Sequence, residues 1–225
     1  MKLSENTIDI LKNYSSINQG LLFRQGNVLK TISPLKTIFV EATINETFPQ
    51  TFALYDLNKL LAKISLYGDD AELDFTSDRL IIKTPSKKRS DHIKYCSQQV
   101  IVAAPEKSIN PTPTKCSFTI SEEDLVFMRK SAGISGSPNF VFESDGTKVE
   151  FDATDVKDDA SDQSKTEIGV GNGTKFKVVM KAENFKMIDG SYDVSVSNLA
   201  AFSHKTLPIK YYIAIEAAAS TFGED

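Results

Sequence analysis

The stretch Leu3-Ser4-Glu5-Asn6-Thr7-Ile8-Asp9-Ile10-Leu11-Lys12 recurs, in altered form, in the second half of the chain. Its counterpart begins 117 residues later and reads Ile120-Ser121-Glu122-Glu123-Asp124-Leu125-Val126-Phe127-Met128-Arg129. Near the end of each half, Ile93-Lys94-Tyr95 matches Ile209-Lys210-Tyr211 at an offset of 116 residues. Two matches with nearly the same offset, at opposite ends of one unit, indicate a tandem duplication of a single domain.

Both halves share one order of elements: a helix, hairpins, a short helix and further hairpins. The sequence therefore predicts an α+β fold of two tandem domains, each with antiparallel sheets and two helices. We place the domains at residues 1–104 and 116–225. The segment 105–115 between them is predicted to be an extended connector over the surface, because its three prolines favour polyproline-type backbone.

Four helices are predicted, two in each half. The clearest covers residues 56–64, where three leucines and Ile64 recur at helical spacing and Asp56 is the expected N-cap. The others are expected from Ser4 to about Ser16, from Ser121 to about Ala132, and around Ala182–Met187.

Short runs of β-branched and aromatic residues, bounded by turn residues, predict antiparallel hairpins. Four hairpins are expected, over residues 21–32, 72–83, 140–151 and 166–180. In the last of these, Asn172-Gly173 is typical of a type I′ turn, in which both central residues need a positive φ. The same glycine cluster is not interpreted as a phosphate loop, because it lacks the Gly-Lys-Ser/Thr ending and a following helix.

The composition excludes several classes of function. The 225 residues are 40% hydrophobic and 25% charged, which is typical of a globular protein. With two histidines and two isolated cysteines, no catalytic constellation, metal site or cofactor is expected. The aspartates from Asp152 to Asp162 lack the register of a calcium loop and are interpreted as a solvated acidic loop. Because no apolar leader or apolar run of membrane-spanning length is present, we expect a cytoplasmic protein.

Four segments spread over the chain, residues 1–13, 53–58, 69–72 and 212–217, carry a resemblance to a known family. In these segments the chain resembles the sliding clamps of T-even-type bacteriophages and, more distantly, the eukaryotic and archaeal clamps. The resemblance implies a closed ring of three two-domain subunits around duplex DNA, opened by an ATP-driven clamp loader. It also implies that the ring tethers the replicative DNA polymerase and, in an infected bacterial host, RNA polymerase with its late-transcription factors.

The expected DNA-facing residues are basic side chains on the predicted helices. Four helices in each of three chains would enclose a bore of roughly 28 Å, wide enough for a duplex. Because three chains at −4 each carry −12, we expect DNA to be held non-specifically, by topology and local basic helix faces. Acidic residues on the same helices leave open the alternative that these faces are ordinary solvated surface. The candidates are Lys12, Lys59, Lys63, Arg129, Lys130, Lys181 and Lys186.

Partner peptides are expected in an apolar pocket beside the connector, as the resemblance implies. Ile109 is an apolar side chain on a hydrophilic connector, and Phe222 is an aromatic residue near the end of the sequence. We expect both to contact a docked peptide. The alternative is that Ile109 pins the connector to its own domain and that Phe222 caps a sheet. Sheet edges near 93–102 and 168–180 are expected to pair between subunits.

Two other classes of function stay open from the sequence. A β-rich structural or carbohydrate-binding protein of a virion would suit the hairpins and the net charge of −4, although the chain has no tryptophan for an exposed binding loop. An enzyme is disfavoured because an acid–base constellation is missing.

Overall fold

The computed structural model describes residues 1–86, 88–110 and 112–223. The chain divides into two compact units, Met1–Ser108 and Ile109–Asp225, called unit 1 and unit 2 below. The division lies inside the segment 105–115 for which the sequence predicts a connector. None of the helices in the described part of the chain is long and apolar enough to span a membrane.

Unit 1 combines two helices with short antiparallel sheets. Strand β1 pairs with β4, β2 pairs with β3, and β5, β6 and β7 form a three-stranded sheet in that order. Its elements are α1 (Glu5–Ile17), β1 (Leu21–Phe23), β2 (Gly26–Ile32), β3 (Ile38–Phe48), β4 (Phe52–Leu54), α2 (Leu57–Tyr67), β5 (Glu72–Phe75), β6 (Arg79–Lys83) and β7 (Ser90–Lys94).

Over its described residues, unit 2 has one α-helix and two larger antiparallel sheets. One sheet has the strand order β11-β10-β9-β12-β16, and the other contains β15-β14-β13-β8. Single 3-10 turns cover Ala182–Asn184 and Ala217–Ala219. The elements are β8 (Cys116–Ile120), α3 (Glu122–Ser135), β9 (Asn139–Asp145), β10 (Lys148–Thr154), β11 (Ser164–Val170), β12 (Lys175–Lys181), β13 (Tyr192–Val196), β14 (Leu199–His204), β15 (Ile209–Ala214) and β16 (Thr221–Phe222).

The repeated stretch forms equivalent helices in the two units. Ser4 caps α1 by accepting a hydrogen bond from the Thr7 N–H, and Ser121 caps α3 by accepting one from the Asp124 N–H. Asp56 caps α2 through the N–H of Lys59 at 3.0 Å. The three helices and the α+β fold of antiparallel sheets are thus confirmed, and their start points follow from local capping.

Two of the four predicted hairpins are wrong. Residues 21–32 do not pair with one another, because the three-residue β1 pairs with β4 and β2 pairs with β3. Likewise β11 pairs with β10, and β12 pairs with β9. The Asn172-Gly173 loop therefore connects two strands that lie on opposite sides of the β9–β10 hairpin. Of its two central residues only Gly173 has a positive φ, +86°, which excludes a type I′ turn. The hairpins at 72–83 and 140–151 are confirmed.

The fourth predicted helix, around Ala182–Met187, is also wrong. Only Ala182–Asn184 form a helical turn, and the chain leaves helical geometry at Phe185. Phe185 and Met187 are both buried, whereas Lys186 between them is exposed, so this stretch follows the alternation of extended backbone. The part of unit 2 that the structure describes therefore has one α-helix where two were expected, and the estimate of a bore lined by twelve helices does not hold.

Aromatic side chains fill the core of each unit. In unit 1, Phe23 and Phe52 stack with ring centroids 4.7 Å apart and Phe48 packs against both. In unit 2, Phe142 and Phe151 stack at 4.3 Å. Rings on paired positions of neighbouring strands lie on the same face of a sheet and contact each other there.

Candidate DNA-facing and partner-binding sites

The three cations predicted in unit 1 differ in their surroundings. Lys12 on α1 pairs with Asp9 at 2.9 Å, and both side chains are 63% exposed. Lys59 on α2 is exposed, on the side away from the buried Leu57 and Leu60. Exposed ion pairs contribute at most about 1 kcal/mol because water and salt screen them, so a phosphate can compete with Asp9 for Lys12.

Lys63 already has an ion-pair partner within unit 1. Its ammonium group forms an ion pair with Asp91 on β7, and the Lys63 side chain is only 24% exposed. The hydroxyl of Tyr67 donates to the other oxygen of Asp91 at 2.8 Å. Burial, followed by this hydrogen bond to Asp91, raises the pKa of Tyr67. Lys63 therefore joins α2 to a strand and would reach a phosphate only by leaving Asp91.

Arg129 has a comparable structural role in unit 2. It forms an ion pair with Asp189 and donates a hydrogen bond to the carbonyl of Met187 at 2.9 Å. Its side chain is 24% exposed. The repeat does place a cation at the position of Lys12, but this cation holds the loop that follows the 3-10 turn against α3.

The remaining cations of unit 2 are on the surface. Lys130 is exposed on α3, and Lys181 and Lys186 are exposed on either side of the turn 182–184. Lys181 is 3.9 Å from Glu183. The structure thus brings Lys181 and Lys186 to one region near Arg129, where all three line the same cavity, while Lys130 lies outside that cavity.

Phe222 and Ile109 are both half-buried. Phe222 lies on β16, pairs with Phe176 on β12, and has the Lys115 ammonium 4.5 Å from its ring centroid. This distance is within the range of a cation–π interaction. An aromatic side chain at a sheet edge can pack against its own sheet and still contact a ligand with the part of its surface that is exposed.

The start of the predicted connector is fixed to unit 1 by residues that sequence reasoning missed. Lys30 donates to the Glu106 carbonyl at 2.7 Å and to the Ser108 hydroxyl at 3.0 Å. Ser108 in turn donates to Glu41 at 2.6 Å. Lys30 and Glu41 are register partners on β2 and β3, so a correct strand pairing would have shown them as a cross-strand ion pair. Ile109 follows directly after this fixed point.

Among the outer strands of the sheets, β7 and β11 overlap the predicted edge regions. β7 is an outer strand of the three-stranded sheet in unit 1, and β11 is an outer strand of the five-stranded sheet in unit 2. The residues of both are half-buried or exposed. The predicted edge regions overlap these strands only in part, because residues 95–102 are not a strand and β12 lies between β9 and β16.

Comparisons with known proteins agree with this architecture. Residues 2–103 match a family model described as DNA polymerase processivity factor. The chain is 31% identical over 224 residues to the sliding clamp of Vibrio phage KVP40, covering 96% of this chain and 100% of that protein. It is also 31% identical over 224 residues to the sliding clamp of Escherichia phage RB69, covering 96% and 97%.

Solved structures share the fold at low sequence identity. Proliferating cellular nuclear antigen (PCNA) from Thermococcus kodakaraensis superposes with a TM-score of 0.68 at 13% identity, over 94% of this chain and 96% of that one. The same antigen from Entamoeba histolytica gives a TM-score of 0.68 at 11% identity, over 93% and 94%.

The tandem α+β units have the fold of a DNA clamp. With relatives 31% identical along nearly the whole length, the chain belongs to the sliding clamp family of T4-like phages, the non-enzymatic processivity factors of DNA polymerase. The resemblance stated from the sequence is thereby confirmed, and a virion structural or carbohydrate-binding protein is not favoured.

Proposed function

We propose that three copies of the chain close into a ring around duplex DNA and tether the replicative DNA polymerase. The observation that supports a ring is that each unit has an accessible outer strand, β7 in unit 1 and β11 in unit 2. Unpaired edges favour strand pairing with another chain. When one edge of a subunit pairs with a different edge of the next, the contact is heterologous, and such contacts form a ring when the rotation between subunits closes.

The DNA contacts in this proposal come from the exposed lysines Lys12, Lys59, Lys130, Lys181 and Lys186. Lys63 and Arg129 are expected to contribute less, because each is paired with a carboxylate and its side chain is only 24% exposed. Contacts to phosphate carry no sequence information, so the ring would slide without base preference.

The polymerase contact is proposed at Ile109 and Phe222. Both residues are half-buried, so each presents some apolar surface while keeping a fixed position. The anchoring of the preceding residues by Lys30 supports this assignment, because it limits how far Ile109 can move. A peptide that buries one or two apolar side chains there would gain most of its affinity from them.

The proposal extends to the setting of a phage infection. The relatives are sliding clamps of phages, which supports a role in the cytoplasm of an infected bacterium. There the ring would be opened by an ATP-driven clamp loader and would also tether RNA polymerase through late-transcription factors.

A topological assay tests the proposal. The protein is mixed with its matched loader, ATP and nicked circular DNA, and the DNA-bound fraction is separated by gel filtration. We expect retention on circles and release when a restriction enzyme linearises them. Equal retention on circular and linear DNA, or a stable monomer in sedimentation over a broad concentration range, would contradict the encircling ring.

A further inference from the structure

We propose that unit 2 carries a second docking site, a groove that binds an amphipathic helix with an acidic polar face from a partner protein. The groove has a volume of about 1110 Å³, and all of its lining residues belong to unit 2. Its walls are the C-terminal half of α3, the residues that follow β10, and the turns at 182–184 and 217–219. Neither Ile109 nor Phe222 lines it, so it is distinct from the proposed polymerase contact.

In unit 1, helix α2 fills the position that corresponds to the groove. The N–H of Leu57, the first residue of α2, donates to the Gln19 carbonyl just after α1 at 2.8 Å. The N–H of Ala182, the first residue of the 3-10 turn, donates to the Pro138 carbonyl just after α3 at 2.9 Å. These matched hydrogen bonds make the start of the turn equivalent to the start of α2.

From these equivalent starting points the two units diverge. The helix α2 continues to Tyr67 and packs on α1, whereas the turn in unit 2 ends at Asn184. The groove between α3 and this turn therefore occupies the place that a helix fills in unit 1. The two copies of the domain differ at this place, because unit 1 has an 11-residue second helix and unit 2 a 3-residue turn.

Gly133 keeps the wall of the groove open. It lies in the interior of α3, where glycine costs about 1 kcal/mol relative to alanine. Its φ is not positive, and a Cβ built on it would meet none of the described atoms within 4 Å. Neither backbone conformation nor crowding within the described part of the chain requires a glycine there. The missing side chain leaves room for an occupant.

The chemistry of the occupant follows from the lining. The floor includes the buried Phe140 and Phe185, which are 1% and 4% exposed, and suits an apolar stripe. In unit 1 the helix at this place buries Leu57, Leu60 and Ile64, a spacing of i, i+3 and i+7. Lys157, Lys181 and Lys186 line the groove and are exposed, so acids on the polar face of the occupant would pair with them, at Lys181 and Lys186 in place of DNA phosphates. The charged lining residues are Arg129, Lys157, Lys181, Lys186, Asp155, Glu183 and Glu216.

A peptide made from this chain is the direct probe. Residues 55–68 are synthesised with Lys59→Glu and Lys63→Glu, which keeps the apolar stripe of α2 and makes its polar face acidic. We expect saturable binding to the full-length protein by fluorescence anisotropy, and several-fold weaker binding of the unmodified peptide. A peptide that also carries Leu60→Asp and Ile64→Asp should not bind. No saturable binding up to about 1 mM acidic peptide, or equal binding of the peptide with the broken stripe, would overturn the proposal.

A matched pair of protein variants locates the binding. Gly133→Phe fills the groove and should weaken the acidic peptide at least about tenfold. Ile134→Phe is the control, because the neighbouring Ile134 is 88% exposed, lies outside the groove, and should give unchanged affinity. Unchanged affinity of Gly133→Phe would overturn the assignment.

Hydrogen exchange on the wild-type protein gives a readout that does not depend on the folding of a variant. Saturating acidic peptide should slow exchange at 129–140, 155–157, 181–186 and 216–219, the segments that line the groove. Protection confined to other parts of the chain would contradict the proposal. Because these titrations need neither DNA nor a loader, their failure would leave the encircling ring untouched.

Discussion

Lys63 of helix α2 forms an ion pair with Asp91 of the edge strand β7. The hydrogen bonds that Asp91 accepts from Lys63 and then from Tyr67 hold the pKa of this carboxyl below its usual range. A helix that was expected to face DNA is therefore tied, through one carboxylate, to a strand that is proposed to join subunits. Lys63 is therefore held by Asp91 and is not free to contact a phosphate unless this ion pair opens.

Asp91→Asn should weaken the trimer several-fold. The substitution removes the charge that holds Lys63, so β7 keeps only the Tyr67 hydrogen bond to α2 and is less well ordered for pairing with another chain. Sedimentation velocity over a dilution series measures the change. Lys59→Glu is the control on the same helix and should dissociate like the wild type. Identical dissociation of all three proteins would separate β7 from the subunit contact.

Lys59→Glu should reduce the salt dependence of DNA binding. The logarithm of the DNA-binding constant falls linearly with the logarithm of the salt concentration, and each lost phosphate contact makes this slope shallower by about 0.9 because fewer counterions are released. The slope is measured with a short labelled duplex between about 50 and 200 mM salt. Lys107→Glu changes an exposed cation that is not among the DNA-facing candidates and should leave the slope at its wild-type value. If both variants behave alike, Lys59 does not contact DNA.

Ile109→Asp should weaken binding of a C-terminal peptide of the polymerase by about tenfold or more, because a charge replaces an apolar anchor. Phe222→Ala should act in the same direction and also removes the contact with Lys115. Isothermal titration with the peptide measures both variants, and thermal unfolding checks that the fold is retained. Unchanged affinity in both variants would place the pocket elsewhere.

Gly171→Ala should lower the free energy of unfolding by about 1–3 kcal/mol. A Cβ at Gly171 would lie 2.5 Å from the Gly146 carbonyl oxygen, a backbone atom that cannot move aside freely. Gly169→Ala is the matched control, since a Cβ there meets none of the described atoms within 4 Å. Urea unfolding should place the control within about 1 kcal/mol of the wild type. Equal stability of the two variants would contradict the close approach.

Asp145 should contribute to stability in a pH-dependent way. Hydrogen bonds from the Thr147 hydroxyl, the Thr147 N–H and the Lys148 N–H lower the pKa of Asp145 from 3.8 to about 2. Because the folded-state pKa is depressed, the unfolded chain takes up the proton first as the pH falls. The contribution is therefore complete above about pH 4 and is lost between about pH 4 and pH 2.

Urea unfolding between pH 5 and pH 2.5 tests this expectation. Asp145→Asn should be less stable than the wild type at pH 5, and the difference should shrink toward pH 2.5. Asp162→Asn, in the exposed acidic loop, is the control. A difference between wild type and Asp145→Asn that does not vary with pH would contradict the depressed pKa.

The parts of the fold that depend on neighbouring residues could be predicted from the sequence. Ser4, Asp56 and Ser121 start their helices as expected, because a cap needs only the next three residues. The Asp145-Gly146 hairpin was also predicted correctly. The Asn172-Gly173 turn was not, because its flanking strands pair with β10 and β9 and not with each other.

The candidate sites show the same limit. The sequence correctly predicts that Lys12 and Lys59 lie on exposed helix surface. It could not predict that Lys63 and Arg129 are already paired, because their partners lie 28 and 60 residues away in the sequence. Such pairs depend on tertiary structure, and no local pattern marks them.

The loop between β11 and β12 has a consequence for the folding pathway. Its Gly171 and Gly173 N–H groups donate to the Thr147 and Gly146 carbonyls at 2.8 and 2.9 Å, at the tip of the β9–β10 hairpin. A hairpin closes within about 1–10 μs, whereas pairings between distant segments form more slowly. The loop has no partner until the hairpin exists. We therefore expect the β9–β10 hairpin to serve as the nucleus on which β11 and β12 assemble from either side.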